Sequence, residues 1–185
     1  FPLAKGGDYR KWYGNMEYVV NWKNDGAEIK YWVTHNPKDP NTTSWSRRLF
    51  NTDCYFKKVI TWSGISSSKP SMRIADNAIF GSGAKAIIAQ TDYLFYLAFL
   101  NSEVALMYLN LISPTLNYES GHIASLPIKK IGSENIELIV QRNIMLSRAD
   151  WDSFETSWDF KRHPLARGGS VAEAYSAWEQ ECNAR

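Results

Sequence analysis

The chain has 185 residues, 44% of them hydrophobic and 22% charged, with a formal net charge of +2, which describes one ordinary globular domain able to bury a sizeable core. An aromatic content of 14% excludes a disordered chain, and the longest apolar run, Tyr93 to Leu100, is far short of the roughly 20 residues a bilayer crossing needs. The two cysteines, Cys54 and Cys182, have no metal-type spacing and form no disulfide framework, which places the chain in a reducing cytoplasm; a start at Phe1 with no signal peptide reads as a piece of something longer.

The opening residues Lys5-Gly6-Gly7-Asp8 form a turn signal ahead of Tyr9-Arg10-Lys11-Trp12-Tyr13-Gly14. Met16, Tyr18, Val20 and Trp22 alternate with Glu17, Val19 and Asn21, the pattern of a half-buried strand. Asn24-Asp25-Gly26 then reads as a hairpin-type turn, with Glu28 to Val33 as the return strand. Residues 34–52 are rich in Pro, Asn and Thr and lack periodicity, which predicts a long exposed loop carrying Arg47 and Arg48. Further strands are expected at Lys58–Ile65, Ser71–Ala75, Ala78–Phe80 and Lys85–Ala89.

Helical patterns follow. Asp92 is placed to cap Tyr93–Leu100, and Ser102 to cap Glu103–Ile112, which Pro114 stops. Gly121 to Ile128 reads as a short closing strand, and Ser133 as the cap of a helix with Ile136, Val140 and Ile144 on one side. Ser170 and Glu173 form a capping box before a stripe of Val171, Tyr175, Trp178 and Cys182. The expected fold class is α+β: a strand-rich module at 1–130, with a mixed twisted sheet and a helix pair, then a helical extension at 131–185.

The charge is uneven. Residues 1–80 hold 12 Lys and Arg against 7 Asp and Glu, whereas residues 81–185 hold 9 against 12. A basic, ring-rich front half supplies cations for phosphates and flat faces for stacking, although a solvated surface has the same composition. Self-sufficient chemistry is not legible. His35, His122 and His163 are scattered, so no metal site is expected. Phe80-Gly81-Ser82-Gly83 precedes a strand-like stretch without the acidic ribose ligand of a nucleotide turn, and reads as a hairpin. His35-Asn36-Pro37-Lys38 lacks the second proline and the ring of an Asn-Pro-Pro-Tyr methyltransferase motif.

The most distinctive words are Trp62-Ser63-Gly64-Ile65-Ser66-Ser67-Ser68, Leu97-Ala98-Phe99-Leu100-Asn101-Ser102, Pro114-Thr115-Leu116-Asn117 and Gly121-His122-Ile123-Ala124-Ser125-Leu126-Pro127-Ile128. They continue in Asp150-Trp151-Asp152-Ser153-Phe154-Glu155-Thr156-Ser157-Trp158-Asp159-Phe160 and are preceded by Lys5-Gly6-Gly7, Arg10 to Gly14 and Val19-Val20-Asn21-Trp22. In this order they resemble the C-terminal part of adenine-specific DNA methyltransferases of the PglX type, from BREX phage-defence systems, which are related to the fused type IIG methylases. The resemblance implies a target-recognition domain with a helical tail, similar to those of type I specificity subunits, where the Leu-Asn-Ser helix pair and the Leu-Pro-Ile strand recur. It implies double-stranded DNA as partner, with S-adenosylmethionine and N6-adenine methyl transfer belonging to an upstream domain of a parent enzyme, other defence subunits as further partners, and no cofactor or catalysis in this fragment.

Recognition of that kind needs phosphate contacts and base-edge contacts. Phosphate candidates are Lys5, Lys11, Lys57, Lys58, Lys69 and the hydroxyls of Ser66, Ser67 and Ser68. Base-edge candidates are Arg10, Arg47, Arg48 and Arg73, whose guanidinium matches guanine O6 and N7, with Asn41 and Asn51 suited to adenine. The rival reading is a protein-interaction domain that docks a partner subunit or a phage-encoded inhibitor. Trp62 and the Trp151, Phe154, Trp158, Phe160 cluster read as packing.

Overall fold

A computed structural model describes residues 1–67, 69–89, 91–129 and 134–184. The fold is mixed α+β, with two small sheets and a helical C-terminal tail. The first sheet joins β1 (Pro2–Ala4), β2 (Tyr18–Val19) and β5 (Ile79–Phe80) in the order β2-β1-β5, antiparallel and then parallel. The second joins β3 (Val59–Ser63), β4 (Arg73–Ala75) and β6 (Ala84–Ile87) in the order β4-β3-β6, antiparallel throughout. The expected single mixed sheet is therefore two sheets, of which one is mixed.

Strand β3 is the centre. All five of its residues are buried, because it is hydrogen-bonded on both edges and covered on its faces. Trp62 is fully buried and its Nε1–H donates to the carbonyl of Tyr118 at 2.8 Å, which satisfies the indole's only polar group. The main core gathers Ile60, Trp62 and Met72 beneath α2 (Tyr93–Leu100) and α3 (Glu103–Ile112). Helix α2 is apolar nearly all round, as a helix covered on opposite sides must be. Its outer cover is α5 (Glu134–Trp151), whose Val140, Ile136 and Ile144 join the same core, so the core crosses the division between residues 130 and 131.

Two expected strands are helices. Glu28 to Val33 lies in α1 (Lys23–Thr34), which turns regular after Asn24, Asp25 and Gly26 at φ of 53°, 58° and 69°. That left-handed triplet redirects the chain, and Gly26 and Ile29 then meet Trp22 at helical spacing, with Val33 buried one turn further on. A Cβ on Gly26 would lie 2.7 Å from the Trp22 ring, so glycine is required there for space as well as for φ. The expected strand over Met16 to Trp22 shrinks to the two residues of β2. The closing strand at Gly121–Ile128 is replaced by α4 (Ser120–Ala124), whose entry is held by the Glu119 amide donating to His122 Nδ1 at 3.3 Å.

The expected helix pair is present, and Ser102 Oγ caps α3 by accepting from the Ala105 amide at 3.2 Å. Asp92 precedes α2 in a left-handed conformation without a side-chain capping bond. The Ser170–Glu173 capping box opens α6 (Val171–Asn183), but of its residues only Ala174 is buried, leaving Val171, Tyr175 and Cys182 exposed. The expected cap at Ser133 lies outside the described residues. Among the described residues, no single helix is long and apolar enough to cross a membrane.

Candidate nucleic-acid interface

The segment from Asn36 to Asn51 is irregular but not loose. The Asp39 carboxylate accepts from Thr42 Oγ1 at 2.8 Å and from the Arg48 guanidinium at 2.6 Å, and these two donors hold its pKa below the usual carboxylate range. Trp45 opens a 3-10 turn (Trp45–Arg47) and lies 4.5 Å below the ammonium of Lys30, which pins the turn to α1. Four residues later Leu49 packs on the cluster of Trp22, Tyr55 and Ile79. Arg47 and Arg48 are thus held between two anchored side chains while both remain exposed. Arg47 is the freer, its guanidinium making a long hydrogen bond to the Asn41 carbonyl at 3.4 Å.

Beside this turn a groove of about 520 Å³ has Trp22, Tyr55 and Phe80 among its walls, with Arg48, Phe50 and Lys85 also lining it. Burial raises the Tyr55 phenol above its ordinary pKa. Lys85 is engaged by Glu119 at 2.9 Å. Asn51 borders the groove in a left-handed conformation, φ 53°.

The remaining sequence-derived candidates do not form one uniform cationic face. Arg73 is 2% exposed, so its guanidinium sits inside the protein, donating at 3.4 Å to the Ser71 carbonyl and to Ser63 Oγ. Desolvation, and secondarily the charge of Arg10, lower its pKa to about 10. A side chain so placed cannot reach a DNA groove, and Arg73 leaves the group of base-edge candidates for that reason. Arg10 is a tether: it pairs with Asp150 at 2.8 Å and lies over the Trp151 ring at 5.1 Å. Lys11 donates to the Asn101 carbonyl at 2.8 Å, completing the end of α2.

Other candidates stay at the surface. Lys69 is 3.6 Å from Glu103, while Lys58 is 3.8 Å from Asp76 and 4.9 Å from the Tyr93 ring centroid. Lys5 lies 4.4 Å over Tyr18, and Lys57 is exposed with no ion pair among the described residues. Ser66 is tied by its amide to the Leu116 carbonyl, Ser67 is exposed, and Ser68 lies outside the described residues.

Sequence reading missed one group. Lys161 and Arg162 are both exposed and have no partner among the described residues, and they line an open hollow with Arg148. The signal was the run Lys161-Arg162-His163, masked by the acidic residues just before it. Those acids are partly spent: Asp152 and Asp159 both pair with Arg148, at 3.4 and 2.8 Å. Trp151 is buried as expected, whereas Phe154 and Trp158 are exposed, the latter still donating to the Met16 carbonyl at 2.7 Å.

The glycine turn at Gly81-Ser82-Gly83 serves the fold. A Cβ on Gly83 would lie 2.6 Å from the carbonyl oxygen of Lys5, so the bare backbone admits another segment of the same chain. Among the described residues, no group of three or more His, Cys, Asp or Glu side chains converges as metal ligands.

No protein-family model matches the chain. Two curated relatives do. The adenine-specific methyltransferase PglX of Lacticaseibacillus casei (strain Zhang) is 37% identical over 100% of this chain and 16% of its own length. The adenine-specific methyltransferase BrxX of Escherichia coli O9:H4 (strain HS) is 34% identical over 99% of this chain and 14% of its own length. The chain therefore spans about one sixth or one seventh of the relatives it matches. Identity of this order, over nearly the whole length of the chain, makes it a homologue of one segment of the PglX and BrxX adenine-specific methyltransferases.

Proposed function

We propose that this chain is the DNA-recognition segment of a site-specific N6-adenine methyltransferase, binding duplex DNA and presenting the target adenine to a catalytic domain elsewhere in the enzyme. The observation that carries this reading is the full-length match to one segment of adenine-specific methyltransferases. An enzyme that methylates a base must extrude it from the stack, and a second surface must grip the duplex and identify the site. Arg47 and Arg48 are exposed on a turn anchored at both ends, which suits them to meet base edges. Guanidinium pairs bidentately with guanine O6 and N7, at roughly 1–3 kcal/mol of discrimination per pair. S-adenosylmethionine and the methyl-transfer step belong, in this reading, to the catalytic domain.

The test is duplex binding by fluorescence anisotropy across a salt series. Affinity that falls steeply with salt, and falls further in the Arg47→Ala, Arg48→Ala double variant while its melting curve is unchanged, supports the reading. Salt-independent binding, or a double variant with wild-type affinity, overturns it.

A second reading has its own support. Val104, Met107 and Leu111 lie at helical spacing on α3 and are exposed, as are Leu138 and Met145 on α5. Apolar residues in such a row suit contact with protein, so these helices form a docking face if the duplex test fails.

A further inference from the structure

We propose that the groove beside the Arg47–Arg48 turn is a binding site for a single nucleotide, with the base among its apolar walls and the phosphate at Arg48 and Lys85. The groove encloses about 520 Å³, inside the range of about 300–1,000 Å³ typical of small-ligand sites. Tyr55, 8% exposed, lies deep in it. Near-perpendicular ring contacts, 5.1 Å to Trp22 and 5.2 Å to Phe80, fix the phenol in place. Its hydroxyl has no hydrogen-bond partner among the described residues, whereas every fully enclosed side-chain nitrogen or oxygen of the described buried residues has one. The Tyr55 hydroxyl is therefore not sealed in: it opens onto the groove that its residue lines, a polar group on a side chain more than nine-tenths buried.

The lining selects the occupant. Arg48 and Lys85 both line the groove, and no Asp or Glu among the described residues does. Their carboxylate partners, Asp39 at 2.6 Å and Glu119 at 2.9 Å, stand outside it and leave each cation with further N–H donors. The occupant is thus an anion whose body is apolar yet carries a hydrogen-bonding atom for Tyr55. A Leu or Phe side chain of a peptide would fill the walls but turn carbon toward that hydroxyl, and so would a fatty acid. A nucleobase is flat and apolar on its faces with nitrogens on its edge, and the phosphate joined to it matches a guanidinium and an ammonium. Asn51 borders the same groove, with an amide able to pair a second base atom. A free nucleotide and one unpaired from DNA carry this same chemistry, so the site stands whether or not the chain grips duplex.

The experiment titrates the 185-residue chain with four fluorescent probes: the 2-aminopurine deoxynucleoside, its monophosphate, a duplex with 2-aminopurine opposite an abasic site, and the same duplex fully paired. The monophosphate is expected to bind about tenfold or more tightly than the nucleoside, through charge-assisted hydrogen bonds. Tyr55→Phe, which removes only the hydroxyl, should weaken nucleotide binding about five- to tenfold with its melting curve unchanged. Arg48→Ala, on an exposed side chain, should narrow the gap between monophosphate and nucleoside. Binding of the monophosphate with no preference between duplexes assigns the site to a soluble nucleotide; a preference for the unpaired duplex that Tyr55→Phe abolishes assigns it to DNA. Equal affinity for nucleoside and monophosphate, wild-type nucleotide affinity in the folded Tyr55→Phe protein, or binding of neither the monophosphate nor the unpaired duplex overturns the site. Loss of duplex binding alone, with the monophosphate still bound, counts against the DNA-recognition reading and leaves the site in place.

Discussion

Asn101 closes its side-chain amide on the backbone of Met72, accepting from the Met72 N–H at 3.0 Å and donating to the Met72 carbonyl at 2.9 Å, with all four atoms in the interior. The pair imitates one rung of a β-ladder between the end of α2 and the approach to β4. It fixes the helix pair against the sheet, because the same asparagine's carbonyl accepts from Lys11 and the next residue caps α3. The Leu-Asn-Ser word is accordingly a joint. Asn101→Ala should leave the Met72 N–H buried and unpaired and its carbonyl with the Trp12 amide alone, lowering stability by about 1–3 kcal/mol. A urea titration showing a midpoint within error of wild type would refute the joint.

Arg73 carries its charge into the protein with no carboxylate within ion-pair distance among the described residues. Burial lowers its pKa to about 10, so the folded state holds this proton less tightly than the unfolded chain does. By linkage the charge opposes folding throughout neutral pH, and the penalty is relieved only as pH rises from about 10 toward the unfolded value. Arg73→Met should therefore be neutral or stabilising, by up to about 2 kcal/mol, with duplex affinity unchanged within about twofold. A large loss of duplex affinity in a folded Arg73→Met protein would return this residue to the interface.

Asp39 restrains one of the two guanidinium groups proposed to meet DNA. Its depressed pKa keeps it ionised through neutral pH, so its pairing with Arg48 is in force above the ordinary carboxylate pKa and is lost as pH falls through the lowered folded value. Asp39→Asn should raise duplex affinity about threefold at low salt and steepen the salt dependence by about one counterion. Anisotropy titrations at several salt concentrations read both effects, and identical slopes for variant and wild type would sink the expectation.

Lys161 and Arg162 are exposed without partners among the described residues. Replacing both with alanine should reduce duplex affinity about tenfold near physiological salt and lower the salt slope by up to about two, uniformly across DNA sequences. An effect that depends on base sequence would show that the tail reads bases.

What the sequence made legible follows from where local signals and packing agree. The β3 to β6 strands, the Ser102 cap and the Ser170–Glu173 box were readable because alternation, turn residues and caps coincide with the observed elements. Glu28 to Val33 misled because Glu-Ile-Lys-Tyr-Trp-Val alternates as a strand does, while the helix is selected by Gly26 and by the buried Trp22 six residues upstream of Glu28. Arg73 misled for a different reason. Composition counts a guanidinium as surface charge, and only the register that pairs Arg73 with Thr61 on buried β3 places it inside. The turn of Arg47 and Arg48 was located correctly, but its order was not legible, since Asp39, Lys30 and Leu49 converge on it only in three dimensions.

Gly14, at φ 116°, sits under Trp151, where a Cβ would fall 3.0 Å from the indole and 2.4 Å from the Arg10 side chain. The far end of α5 is thereby seated on the first fifteen residues, with Ser147 Oγ donating to the carbonyl of Lys11 at 2.9 Å. A piece of this chain that is to fold by itself therefore has to extend through Trp151: a cut before residue 134 would remove α5 and uncover the side of α2 that it packs on.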